Sequence, residues 1–326
     1  MPPTFGSDAD ADADANADAD AAHSDPASDS TVASDRDPRS GSVSGTDDSV
    51  GIGTDSARSH PSDPTPDRLS RIGHRGCITP APENTVAAVV AAAPHVDMVE
   101  VDVRPCGTGE IVVFHDETLG RLTDGSGRVD ETPLSTLRER EVLASGEPIP
   151  TLRELLDAMA VLSDPPVLNV EIKASGIAPT VVARCADAPL DVLYSSFHES
   201  VLRGVRTADP DAPLAVVCRD RPSDAIEFAA AVDAVAIHPW KRLIVDTNSV
   251  DDDTAAADGE TPTAADGAET HAVDGKAVVE TAHARGLAVN AWSADTPTEI
   301  RRLRAAGVDG VIADRWTVFD AAHPEG

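Results

Sequence analysis

Eight times along the chain, a short run rich in Val and Ile gives way to a longer stretch with helical periodicity. Apolar runs of this length without polar alternation mark strands buried on both faces, which belong to parallel sheets covered by helices. The runs lie near 70–73, 97–103, 167–172, 191–195, 214–217, 233–237, 287–291 and 308–312. Helices are expected over 85–93, 151–161, 178–186, 199–208, 222–230, 274–285 and 297–306, the first capped by Asn84 or Thr85 after Pro82. Eight such units in about 250 residues predict an α/β chain folded as a (β/α)8 TIM barrel. A doubly wound open sheet is the competing architecture, but no G-x-G-x-x-G follows the first strand.

The barrel is expected to occupy 69–320. Residues 1–68 are mostly Asp, Ala, Ser, Thr, Gly and Pro, too poor in apolar surface to offset the entropy of ordering, and are read as a disordered acidic tail. The segment 246–274 has the same character, with nine acidic residues and no Lys or Arg, and reads as a low-complexity loop insertion. A further excursion over 116–150 follows the second strand, which places it on the catalytic face of a barrel.

Charge narrows the partners. With 26 Lys and Arg against 57 Asp and Glu, the formal net charge is −31, which disfavours nucleic acid and anionic membrane surfaces. An Asp-rich, Lys-poor surface suits a halophilic protein in a salt-rich cytoplasm. The four cysteines, Cys77, Cys106, Cys185 and Cys218, lack C-x-x-C spacing and read as free thiols in a reducing compartment. The first residues have neither a basic n-region nor an apolar h-region, and no uncharged apolar run approaches roughly 18 residues, so a cytoplasmic chain without stable membrane insertion is expected. Oligomeric state stays open.

The chemistry-bearing residues cluster at strand ends. In MVEVDVRP, Glu100 and Asp102 are two apart, so both carboxylates share one face while Val99, Val101 and Val103 take the other. In LNVEIKAS, Glu171 and Lys173 repeat the arrangement. Taken singly, the first pair also fits a solvated edge strand and the second an ordinary ion pair. Buried strands weaken that reading, because uncompensated carboxylates cost several kcal/mol each in a protein interior. A cation is the natural remedy, and three hard oxygen ligands suit Mg2+ or Ca2+ better than zinc. His74 closes the first strand and His115 ends the short run IVVFHD, two groups able to exchange protons near neutral pH. His95, His198, His271 and His283 read as bystanders, and His238 stays open.

These residues lie in motifs, GHRG, PENT, EVDV, VVFHDETLGRLTDGSG, IPTLRELL, VEIK, SSF and VNAW, whose order and spacing resemble the glycerophosphodiester phosphodiesterase family, barrel enzymes related to phosphatidylinositol-specific phospholipase C. The resemblance runs from about Ile72 to Ala313. It implies an enzyme that hydrolyses small-molecule glycerophosphodiesters to a glycerol phosphate and an alcohol. It further implies that His74 and His115 are the acid/base pair, that Glu100, Asp102 and Glu171 hold a divalent metal, and that Arg75 and Lys173 contact phosphate. Gly76 then permits a sharp exit from the first strand. The pattern departs from the family at CGTGE, which is expected to alter only a hairpin, and at ADRW and Trp292-Ser293-Ala294-Asp295, which are expected to line the mouth. Phospholipase-type cleavage of intact lipids and a non-catalytic binding barrel are the alternative readings. An interfacial enzyme is expected to show an apolar or basic surface, which an acidic chain does not advertise. Deletion of 1–66 and 246–274 is expected to leave turnover of a soluble diester within a few-fold at matched salt, since neither segment is able to join a packed core.

Overall fold

The computed structural model describes residues 68–245 and 274–322, all within the unit Ala57–Gly326. The expected acidic tail, apart from its last residue Arg68, and nearly all of the expected loop insertion lie outside the described residues.

The elements alternate as the periodicity predicts. The chain runs β1 (Ser70–Gly73), α1 (Val86–Ala92), β2 (Met98–Pro105), β3 (Ile111–Val113), α2 (Leu134–Leu137) and α3 (Leu152–Ala160). Next come β4 (Val167–Ile172), α4 (Ala178–Ala186), β5 (Val192–Ser196), α5 (Glu199–Ala208), β6 (Leu214–Cys218) and α6 (Pro222–Ala231). The last third holds β7 (Ala236–Pro239), α7 (Gly275–His283), β8 (Ala288–Ala294), α8 (Pro297–Ala305), β9 (Gly310–Ala313) and α9 (Thr317–Ala322). Every neighbouring pair among β1, β2 and β4 to β9 is parallel, and β1 bonds to both β2 and β9, which closes an eight-stranded barrel.

Strand pleat divides the apolar residues into two layers. Val99, Val101 and Val103 face outward and pack with Leu152, Leu155 and Leu168 in the main core beneath the helices. Ile72, Met98, Leu193, Ala215, Ala236 and Ile312 form a separate cluster that fills the barrel interior. Helix starts carry local signals: Thr85 caps α1, and Thr151 with Glu154 and Thr296 with Glu299 form capping boxes at α3 and α8.

Two short helices, α2 and α9, were not anticipated, and the expected short strand β3 ends earlier than its sequence suggests. Helix α9 completes the eighth unit, but its six residues are too few to show a period. Strand β3 pairs antiparallel with β2, Val103 opposite Val113, and stops two residues short of His115. That histidine therefore sits on the loop after the strand and not at its last position. Leu155 is fully buried between α3 and the sheet. Leu155→Ala is expected to destabilise the fold by about 2–5 kcal/mol in denaturant titrations, as large-to-small core changes do.

Candidate active site

The exit from β1 builds the first wall. His74, Arg75 and Gly76 form one 3-10 turn directly after the strand, and Arg75, Gly76 and Cys77 have φ of 51°, 80° and 62°. Gly76 is required by space as well, because a Cβ there meets the Val89 backbone nitrogen at 2.9 Å. Three successive left-handed residues are costly, and they persist where the surroundings over-determine them. Here the turn aims the Arg75 amide at Glu100, donating to Oε2 at 2.8 Å. His74 Nδ1 lies 2.6 Å from Asp314 Oδ1, at the end of β9.

β2 and β4 supply the carboxylates. Their register sets Asp102 beside Glu171 and Glu100 beside Asn169. One ligand atom from each of Glu100, Asp102 and Glu171 lies within 4.8 Å of the other two, and all three residues are buried. Lys173 Nζ is 3.1 Å from Asp102 and 2.5 Å from Glu171, and Arg75 Nε is 3.3 Å from Asp102. Asn84, held at φ 58°, donates from Nδ2 to Asp102 Oδ2 at 2.8 Å and accepts from the Asp102 amide at 3.0 Å.

Unequal surroundings divide the carboxylates. Burial raises the Glu100 acid to about 8, and the Asp102 charge pushes in the same direction. Burial also opposes ionisation of Asp102, but Lys173, His115, Arg75 and the Asn84 hydrogen bond outweigh it and hold that carboxyl well below its ordinary value. Burial likewise opposes charge on Lys173, which Asp102 and Glu171 more than offset, so the ammonium is retained. For His74, burial and Arg75 lower the imidazole, but Asp314 and Glu100 leave it above its ordinary value. A divalent cation fits this donor set: Glu100 Oε1 is buried without a hydrogen-bond partner among the described residues, and the ligands are three hard oxygens.

All seven predicted site residues come from the same end of the barrel: His74 and Arg75 in the turn that follows β1, so that His74 lies just past the strand and not at its last position, Glu100 and Asp102 on β2, Glu171 on β4 with Lys173 just beyond it, and His115 on the loop after β3. His115 Nδ1 lies 2.7 Å from Asp116 Oδ1, and the Phe114 amide donates to the Asp102 carbonyl at 2.9 Å, which ties that loop to β2. The sequence reading missed Glu83, Asn84, Asp116, Arg121 and Asp314 as site residues. Glu83 and Asn84 are part of PENT, and Asp116 and Arg121 belong to HDETLGR, but only packing reveals what they touch. Beyond Lys173, Phe197 and Trp292 line the mouth, edge to face at 5.7 Å. His238 is an interior group, 1% exposed, with the Asn290 amide 3.2 Å from Nε2, and burial pushes it down to about 4. His95 stacks on Trp316 and His283 pairs with Asp309, both away from the carboxylates.

The profile of the "Glycerophosphoryl diester phosphodiesterase family" matches residues 74–318. The chain belongs to this family. A glycerophosphodiester phosphodiesterase of Caldanaerobacter subterraneus is 27% identical over 74% of this chain and 93% of its own length. A probable glycerophosphodiester phosphodiesterase 2 of Mycobacterium tuberculosis is 30% identical over 75% of this chain and 86% of its own. Among solved structures, a phosphodiesterase of Oleispira antarctica in complex with the product sn-glycerol-3-phosphate superposes with a TM-score of 0.63. It is 25% identical and covers 78% of this chain and 96% of its own. As a member of the glycerophosphoryl diester phosphodiesterase family, this chain is a phosphoric diester hydrolase built on the TIM barrel described above. No described helix is long and apolar enough to cross a membrane.

Because Asn84 holds both the carboxylate and the backbone amide of Asp102, Asn84→Ala is expected to weaken divalent-cation affinity about 10–100-fold by calorimetry, the usual effect of removing an outer partner of a ligand.

Proposed function

We propose that this chain hydrolyses glycerophosphodiesters to a glycerol phosphate and an alcohol, with a divalent cation, Mg2+ or Ca2+, held by Glu100, Asp102 and Glu171. What supports the reading is the convergence at one barrel end of a buried carboxylate triad, two buried cations and two histidines, each histidine held by its own carboxylate. The relatives support the small-molecule substrate class: one is a glycerophosphodiester phosphodiesterase, and another phosphodiesterase was solved in complex with the product sn-glycerol-3-phosphate.

A phosphodiester monoanion resists hydrolysis because its charge repels nucleophiles and its leaving alkoxide is poor. A bound cation supplies charge neutralisation at phosphoryl oxygens. Arg75 and Lys173 add fixed positive charge from a site that excludes most water, where such interactions are strongest. One of His74 and His115 takes the proton of the attacking hydroxyl, a new P–O bond forms, and the bond to the alcohol oxygen breaks. The other histidine gives that oxygen its proton. Asp314 and Asp116 both sit on Nδ1, which favours the Nδ1–H tautomer and leaves Nε2 for exchange in each ring. The same chemistry serves attack by water and attack by a glycerol hydroxyl through a cyclic phosphate.

Chelation is expected to abolish hydrolysis, and Glu100→Gln, Asp102→Asn and Glu171→Gln each to weaken cation binding. Full activity in excess chelator excludes the metal. His74→Ala and His115→Ala are each expected to lose about 10²–10⁴-fold in turnover while still binding cation. With a nitrophenyl ester, which needs no leaving-group proton, the loss should shrink for one histidine only. Equal losses on activated and unactivated diesters rule out the acid/base assignment.

A further inference from the structure

The excursion between β3 and α3 has its own small core, in which Phe114, Leu119, Leu122, Val129, Leu137 and Ile149 are all buried. A segment that merely covered the mouth needs no such core. Leu119 and Leu122 are each 2% exposed, and the Thr123 amide donates to the Leu119 carbonyl at 3.0 Å. The backbone at Arg121 is therefore pinned on both sides, and its side chain is the part directed at the site.

That guanidinium grips two carboxylates. Nε and Nη2 donate to Asp116 at 2.7 and 2.8 Å, and Nη1 and Nη2 donate to Glu83 at 2.8 Å each. Each carboxylate leads to a different part of the proposed machinery. Asp116 holds Nδ1 of His115 at 2.7 Å, while Glu83 accepts from Nη1 of Arg75 at 2.9 Å. The route His115, Asp116, Arg121, Glu83, Arg75 thus has no gap. Exposed salt bridges contribute little, but the partners here are shielded, with side-chain exposures of 10% for Glu83 and 20% for Asp116.

Charge explains why a second arginine is needed. Glu83 is buried, and Arg75 already faces Asp102 and Glu100. Burial and the Asp102 charge work against the Glu83 carboxylate, and the Arg121 hydrogen bonds with Arg75 reverse the balance. With Arg121 sharing its positive charge between Glu83 and Asp116, Glu83 draws less on Arg75 while still orienting it.

We propose that Arg121 is a positioning residue: the packed excursion delivers its guanidinium between Glu83 and Asp116, so that proton-transferring His115 and phosphate-binding Arg75 are held in one fixed arrangement. This rests on the roles assigned above to His115 and Arg75. It requires a fork, since a lysine is a point donor unable to bind both carboxylates bidentately. Arg121→Lys keeps the charge and guards against a folding failure in Arg121→Ala.

The test uses the full chain with divalent cation supplied. Both variants are expected to fold and to keep the Mg2+ affinity close to wild type, with the thermal midpoint lowered more in Arg121→Ala than in Arg121→Lys, yet to lose about 10–100-fold in kcat/KM on a glycerophosphodiester, the range typical of removing an outer hydrogen-bond partner. Methylguanidinium in solution should restore part of the loss in Arg121→Ala. On an unactivated glycerophosphodiester, where both proton transfers are needed, Arg121→Ala should cost several-fold less in a His115→Ala background than in wild type. Affinity for inorganic phosphate, titrated by calorimetry without turnover, should fall in both variants. Wild-type activity in either variant, equal losses in the two backgrounds, or unchanged phosphate affinity overturns the proposal. A wild-type chain that cleaves no glycerophosphodiester counts instead against the functional reading, and the phosphate titration still decides the role of Arg121.

Discussion

Three carboxylates within 4.8 Å of one another, all buried, are the constraint around which this barrel end is organised. Burying even one such charge costs several kcal/mol without compensation, and mutual repulsion adds to that cost. The compensation is distributed. Lys173 bridges Asp102 and Glu171, Arg75 faces Asp102, the Arg75 amide serves Glu100, and Asn84 spans the side chain and backbone of Asp102. Even so, Glu100 is left with its acid raised to about 8 and one oxygen without a hydrogen-bond partner among the described residues. An incomplete balance of this kind suits a site that receives a cation better than a site built for stability alone.

The backbone strain at residues 75–77 follows from the same requirement. A strand that continued straight past His74 has no means of turning the Arg75 amide toward Glu100. The left-handed turn does so, and Gly76 is tolerated there because its missing side chain leaves room for α1. The two histidines use one device twice. Each has a carboxylate on Nδ1, but Asp314 comes from the end of the last strand and Asp116 from the next residue in sequence. The first histidine is thus fixed by closure of the barrel, and the second by the packing of the excursion.

That excursion ties stability to chemistry. Its leucines hold Arg121, and Arg121 holds the two carboxylates that contact His115 and Arg75. Across the mouth, Phe197 stands over Lys173 and meets Trp292 edge to face.

The sequence by itself determined the barrel and the seven polar residues at its mouth. Strand pleat has a period of two, so Glu100 with Asp102 and Glu171 with Lys173 are assigned to a face before any contact is known, and buried parallel strands leave continuous Val and Ile runs that are easy to count. Short helices escaped this reading, α2 with four residues and α9 with six, and the expected strand β3 ends before His115 because its pairing with β2 stops at Val113. Only the tertiary structure decided the partners. The contact between His74 and Asp314 joins positions 240 residues apart, and that between Glu83 and Arg121 spans 38. Hydrogen bonds of such range leave no periodic trace in a chain, because they depend on how strand ends and loops converge in space and not on local spacing.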